Sequence, residues 1–460
     1  MDNPSAVATL DRVRGTFETG RTRDLDWRRA QLAALACLLS ENEADIIAAL
    51  HADLGKPRFE SWAGDIAASV AEIEYLRKNL GSWAKPTPAP VPLRFQPARA
   101  AVEYQPRGVV LVIAPWNYPV YLLATPLAAA IAAGNSVICK PSELAPTVSA
   151  VLTRLAASYL DTDAIAFIEG GVEETTLLLE QRFDHILYTG NGTVGRIVAA
   201  AAAKHLTPTI LELGGKCPAI VDRDANLKQA ASRIAFAKWS NAGQTCIAVD
   251  HVWVHRDIHD ALVDRLTAEV VSRYGQDPRS SVDFGRIVNE RHTRRLKGLL
   301  EAGGYDHLAV GGTVDVEDHY VAPSVVTGVK PNSGLMSEEI FGPVLPILAF
   351  DDIAEPIAHI GANDHPLALY VFGHAHADRV LDQTTSGGAC VNDTMMQLFP
   401  PSLPFGGVGE SGIGSYHGRW GFEAFSHRRA VFRRPGFYVE PPLVKAPYGK
   451  LKEAIVRWVY

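Results

Sequence analysis

Apolar positions in the first eighty residues recur every three or four places. The runs WRRAQLAALACLLSENEADIIAAL (Trp27–Leu50) and AGDIAASVAEIEYLRKNL (Ala63–Leu80) therefore predict amphipathic helices. A proline-rich connector follows, KPTPAPVPLRFQP (Lys85–Pro97), too rigid and turn-prone for a core element. The pattern then changes to short continuous apolar runs separated by helical stretches. GVVLVIAP (Gly108–Pro115), NSVICK (Asn135–Lys140), AIAFIEG (Ala164–Gly170), HILYTG (His185–Gly190) and TPTILELGG (Thr207–Gly215) read as strands. An alanine-rich helix ending at Ala133-Gly134, LAPTVSAVLTRLAASYL (Leu144–Leu160) and TVGRIVAAAAAKHL (Thr193–Leu206) lie between them. Apolar strands alternating with helices call for a parallel sheet covered on both faces, with ligands bound at its carboxyl edge. A second α/β region runs from about Lys216 to Gly412, with strand-like VDHVWVH, PSVVTGV, VLPILAF and ALYVFG. No internal repeat is evident.

The length of 460 residues implies two or three domains. A composition of 47% hydrophobic and 21% charged residues is that of a globular protein, and the net charge of −7 argues against a nucleic-acid backbone binder. The five cysteines (Cys37, Cys139, Cys217, Cys246, Cys390) are widely spaced with no Cys-x-x-Cys pair, which points to a reduced cytoplasmic protein. The first twenty residues lack the pattern of a signal peptide, and no apolar run reaches the ~18 residues of a membrane span. The end, YGKLKEAIVRWVY (Tyr448–Tyr460), reads as a docked or surface helix.

Two patterns suggest chemistry and have blander readings. GNGTVG (Gly190–Gly195) matches the dinucleotide fingerprint G-x-G-x-x-G, with Glu212 downstream as its ribose acid. It follows the fourth strand rather than the first, and GVGESG (Gly407–Gly412) matches equally well in a chain with 38 glycines. His251, His255 and His259 recur every fourth residue, but HVWVH is β-branched and aromatic. They read as surface or edge histidines, not metal ligands.

Three stretches change the picture when taken together: PWNYP (Pro115–Pro119), LELGGK (Leu211–Lys216) and GQTC (Gly243–Cys246). With GNSVICKPSE (Gly134–Glu143), EEIFGPV (Glu338–Val344) and LPFGGVGESGIG (Leu403–Gly414), the chain resembles the aldehyde dehydrogenase superfamily over most of its length. TGRTRDLDWRRAQL, ALHADLGKP, GGVEETTLLLEQRFDHILYTGN and GVGESGIGSYHG resemble its class-3-type branch. That branch acts on fatty and aromatic aldehydes and includes coniferyl aldehyde dehydrogenase-like enzymes.

The resemblance implies an α/β fold with a variant Rossmann NAD-binding domain (1–85 and 106–213) and an α/β catalytic domain (214–415). It adds a small β oligomerisation arm (86–105 and 416–440), a tail (441–460) and a homodimer. Cys246 would be the nucleophile, since an aldehyde must become a tetrahedral adduct before it can lose hydride. Asn117 and the Cys246 N–H would stabilise the oxyanion, and Glu212 would activate the water that cleaves the thioester. The same resemblance puts Trp116, Lys140, Glu143, Gly190, Gly195, Glu339 and Phe341 at the cofactor, NAD+ with NADP+ open. Tyr118, Tyr121, Leu122 and Trp239 suggest an apolar and aromatic substrate channel. Gln397 departs from the branch, which usually carries a histidine there. The rival readings are an acyl-transferring semialdehyde dehydrogenase, disfavoured by Glu212; an ordinary alcohol dehydrogenase, which leaves Cys246 without a role; and a non-catalytic protein retaining the fold.

Overall fold

The computed structural model describes residues 3–439 and 441–459. Residues 3–83 are helical: Asn3–Glu18, Leu25–Glu41, Glu43–Leu54 and Ala68–Trp83 are the main elements. Asp24 opens the second of these by accepting from the Asp26 and Trp27 N–H groups. Helices Leu25–Glu41 and Ala68–Trp83 pack on Tyr121–Ala133, which is buried on every side. Its sequence, YLLATPLAAAIAA, is accordingly apolar all round. Gly134 stops it at φ 88°, a conformation that favours glycine.

Behind that helix lies a six-stranded sheet in the order Gly412–Ile413, Thr209–Glu212, His185–Thr189, Val109–Ile113, Ser136–Lys140, Ile165–Phe167. Five strands are parallel; Gly412–Ile413 runs antiparallel to Thr209–Glu212, with Gly412 opposite Glu212. The strand order reverses between Val109–Ile113 and His185–Thr189, and such a switch point opens a crevice at the carboxyl ends of the strands. Trp116 and Asn117 follow one of these strands and Gly190 the other.

A seven-stranded sheet forms the second layer: His307–Val310, Ser324–Thr327, Val344–Phe350, His251–His255, Pro218–Val221, Ala368–Phe372, Gly388–Val391. Three of these strands, Pro218–Val221, His307–Val310 and Gly388–Val391, are not among those the hydrophobic pattern predicts. His251 and His255 are not at an edge: their strand is paired on both sides, so both rings are buried, while His259 opens the following helix.

The third sheet joins Thr87–Ala89, inside the proline-rich connector, to Arg99–Pro106 and Ser426–Arg433. The last two strands pair over their full length, and Glu103 bridges Arg429 at 2.6 Å and Arg433 at 2.8 Å. The tail ends in the helix Lys450–Val459. No helix among the described residues is long and apolar enough to cross a membrane.

Candidate active site

Cys246 is presented by a strained loop. Helix Leu227–Trp239 ends at Ser240, after which Asn241 and Ala242 both adopt φ 51°. A non-glycine residue there costs about 1–3 kcal/mol, so the surroundings must hold it. The Asn241 N–H donates to Glu60 Oε2 at 2.7 Å, and its Nδ2 donates to the Asn117 carbonyl at 2.9 Å. Gln244 is pinned at both ends: its Nε2 donates to the Asn241 and Arg286 carbonyls, and its Oε1 accepts from Val288 N–H. Gly243 is required by close approach, since a Cβ there would stand 2.3 Å from the Gly342 carbonyl oxygen.

The side-chain amide of Asn117 reaches this loop, donating from Nδ2 to the Gln244 carbonyl at 3.0 Å. Nδ2 carries a second hydrogen. The backbone N–H groups of Cys246 and Ile247 face the thiol and favour its thiolate. Burial opposes them, with the negative fields of Glu339 and Glu212 adding to it, and the Cys246 thiol is pushed up to about 12.

Glu212 ends strand Thr209–Glu212 at 2% exposure. Neither carboxyl oxygen meets a hydrogen-bond donor among the described residues, and burial holds its pKa well above the usual range. Glu339 is raised to about 8, by burial and then by Asp250, with the Gly215 N–H opposing. Its carboxyl presses on Gly214, where a Cβ would lie 2.1 Å from Oε2. The loop bearing Glu339 is itself fixed: Asp250 accepts from Ile340 N–H at 2.8 Å and pairs with Lys216, whose Nζ donates to the Leu335 and Glu338 carbonyls.

Two hollows flank this centre. One is almost wholly apolar, with Cys246 opening into it beside Tyr118, Tyr121, Leu122, Phe236, Met395 and Phe405. The other is a polar cleft lined by Asn191, Gly192, Gly214, Gly215, Glu338 and Glu339. Asn191 caps helix Gly192–Ala203, whose N-terminal N–H groups and positive dipole end suit a phosphate. At the end of strand Ser136–Lys140, Lys140 pairs with Glu143 at 2.6 Å. Glycine backbone, a helix N-terminus and carboxylates at a sheet switch point together fit a dinucleotide.

A sequence model of the aldehyde dehydrogenase family matches residues 4–431. The chain belongs to the aldehyde dehydrogenase family. It is 47% identical to aldehyde dehydrogenase family 3 member A2 of Rattus norvegicus, over 91% of this chain and 87% of that protein. It is 44% identical to the rat aldehyde dehydrogenase described as dimeric and NADP-preferring, over 92% and 93%. The substrate-bound state of Staphylococcus aureus AldH superposes with a TM-score of 0.95 at 40% identity, covering 98% of this chain and 99% of that one. P. syringae AldA indole-3-acetaldehyde dehydrogenase, in complex with NAD+, reaches 0.85 at 26% identity, over 94% and 90%. The protein is thus an oxidoreductase that oxidises aldehydes with NAD(P)+.

In this aldehyde dehydrogenase, Asn117, Tyr118 and Leu122 gather with Cys246 around the apolar hollow or its loop. Trp239 does not line that hollow. Its indole turns inward, fully buried, and donates from Nε1 to the Pro343 carbonyl at 3.2 Å; Phe236, one helical turn earlier, takes the wall position. Gly195 sits inside helix Gly192–Ala203, where a Cβ would approach Leu213 Cδ2 to 2.8 Å. It packs the helix against the strand's end, and Asn191 and Gly192 line the cleft. Gly190 lies just before them, with no room for a Cβ beside the Tyr188 hydroxyl. Trp116 stacks edge-on against Phe341, ring centres 5.4 Å apart, and also packs against His292 at 5.7 Å. Gln397 accepts from the Cys390 thiol at 2.8 Å.

Sequence reading missed Glu60, Gln244, Met395 and Phe405. Gln244 and Phe405 stood inside family motifs and could have been found there. Glu60 and Met395 are remote in the chain and carry no local signal.

Proposed function

We propose that this aldehyde dehydrogenase oxidises apolar aldehydes of the fatty or aromatic class to carboxylic acids through a covalent adduct on Cys246. The carrying observation is one thiol set between an amide donor, an unpaired buried carboxyl and an almost wholly apolar hollow. The Cys246 sulfur adds to the aldehyde carbonyl as its proton departs to solvent, leaving a thiohemiacetal oxyanion. The free Nδ2 hydrogen of Asn117 and the Cys246 N–H stabilise that charge; one such donor is worth about 3–4 kcal/mol. NAD(P)+ bound in the polar cleft supplies the hydride acceptor. Glu339 and the Lys140–Glu143 pair would hold its two riboses, the Gly190–Gly192 turn its phosphates, and Trp116 and Phe341 would flank its nicotinamide end.

Loss of hydride leaves a thioester at Cys246. Glu212, once ionised, takes a proton from water attacking that carbonyl carbon. The C–S bond breaks, the acid departs and Cys246 regains its proton. Glu143 disfavours a 2′-phosphate, so NAD+ is the preferred cofactor. The outer strand Ser426–Arg433, paired on one side only among the described residues, supports pairing with a second subunit in a homodimer. Free cysteines support a cytoplasmic location.

The test is NADH formation with NAD+ and a panel of aliphatic and aromatic aldehydes, with Cys246→Ala beside the wild type. The wild type turns over apolar aldehydes and the variant is silent while still binding NAD+. Turnover by Cys246→Ala would overturn the covalent route.

A further inference from the structure

The segment carrying Asn117 is tied down by a buried ion pair between two residues distant from it in the chain. Lys56 follows helix Glu43–Leu54, and Asp65 lies in Ser61–Ala67, a π-helical stretch between two α-helical ones. Such stretches are rare and occur often at functional sites. Both side chains are completely buried, and Lys56 Nζ stands 2.6 Å from Asp65 Oδ2. The remaining contacts of the pair converge on residues 117–121. Lys56 Nζ donates to the Asn117 carbonyl at 3.3 Å and lies 3.7 Å from the centre of the Tyr118 ring. Asp65 Oδ1 accepts from the N–H groups of Val120 and Tyr121, each at 3.2 Å.

Desolvating two charges costs several kcal/mol each, and a well-packed apolar pair is often as stable or more so. Stability is therefore a weak reason to keep this pair. Geometry is a stronger one. From the Asn117 carbonyl to the Tyr121 N–H, the segment meets a charged group at four points, and it bears the oxyanion donor and two aromatic walls of the substrate hollow. Asn241 Nδ2 shares the Asn117 carbonyl with Lys56, so the same node joins this segment to the cysteine loop.

We propose that Lys56 and Asp65 are positioning residues that aim the Asn117 amide at the oxyanion. This rests on the role given to Asn117 above. The test is a double-mutant cycle on the full enzyme. Lys56→Met/Asp65→Leu removes both charges without stranding either, and Lys56→Gln/Asp65→Asn is its counterpart should the first not fold. Each is made in the wild type and in Asn117→Ala. kcat/KM for aldehyde is normalised to Cys246 titrated with iodoacetamide, read on the peptide that carries Cys246 by mass spectrometry, and KM for NAD+ is measured alongside.

The pair variant is expected to lose between about 10- and 1,000-fold in kcat/KM per titrated site, bounded by the loss of one oxyanion donor. KM for NAD+ is expected to stay within a few-fold, and the added loss in Asn117→Ala to be small. Unchanged kcat/KM per titrated site would overturn the proposal, as would losses that multiply in the Asn117→Ala background. Asn117→Ala retaining full activity would remove the oxyanion reading itself, and this proposal with it.

Discussion

Replacing Glu212 by Gln separates what this carboxyl does to the fold from what it does in turnover. In the folded chain burial alone raises its pKa well above 4.5. In the unfolded chain it ionises near that ordinary value. An acid that keeps its proton to higher pH when folded contributes stability that is complete below the unfolded pKa. That stability is lost as pH rises toward the folded pKa. The loss is about 1.4 kcal/mol per pH unit while the unfolded group is ionised and the folded one is not.

Gln has nearly the same shape and no proton to release, so Glu212→Gln lacks this slope. The pH-independent cost of a buried polar group is shared by both proteins, and every other titrating group cancels in the difference. Denaturant unfolding of both proteins at half-unit steps from about pH 5 to pH 7 measures it. The variant is expected to gain on the wild type by up to about 1.4 kcal/mol per pH unit as pH rises, for as long as the folded carboxyl keeps its proton. Aldehyde oxidation on the same samples is expected to fall by at least about 100-fold, the lower end for a lost general base. A stability difference flat with pH would refute the claim that burial keeps the carboxyl protonated. Full activity in the variant would refute its role as base.

Two other substitutions test particular placements. Trp239→Phe strands the Pro343 carbonyl and removes buried aromatic volume, at a cost of about 1–3 kcal/mol of stability in thermal or chemical unfolding. Its preference between short and long aldehydes is expected to stay that of the wild type, and a changed preference would return Trp239 to the channel. Glu143→Gln removes the charge that opposes a 2′-phosphate, so the ratio of kcat/KM with NADP+ to that with NAD+ is expected to rise. A wild-type enzyme equally or more efficient with NADP+, or no rise in the ratio, would sink that assignment.

Much of this protein could be read from the chain because local pattern and global fold agree. Unbroken apolar runs such as VVLVI can only be buried central strands. Gly134 marks the end of its helix through its backbone freedom, and short contiguous motifs carry Asn117, Glu212 and Cys246 to their places. The direction a side chain takes is not local. Trp239 and Phe236 lie one turn apart on the same helix, and packing against Pro343 decided which of them faces the hollow. His251 and His255 looked like edge residues, but their strand is central in its sheet and their rings pack on His359 and Phe350.

Lys56 and Asp65 illustrate the limit. An isolated lysine in a loop and an acid on a helical face are ordinary surface residues by composition, and burying either alone would be prohibitive. Only the tertiary fold brings them to 2.6 Å and sets the Asn117 segment against both. Sequence determined which chemical groups the chain carries and which elements hold them. Tertiary structure decided which charges could be buried, because that depends on a partner distant in the chain or presented by another element.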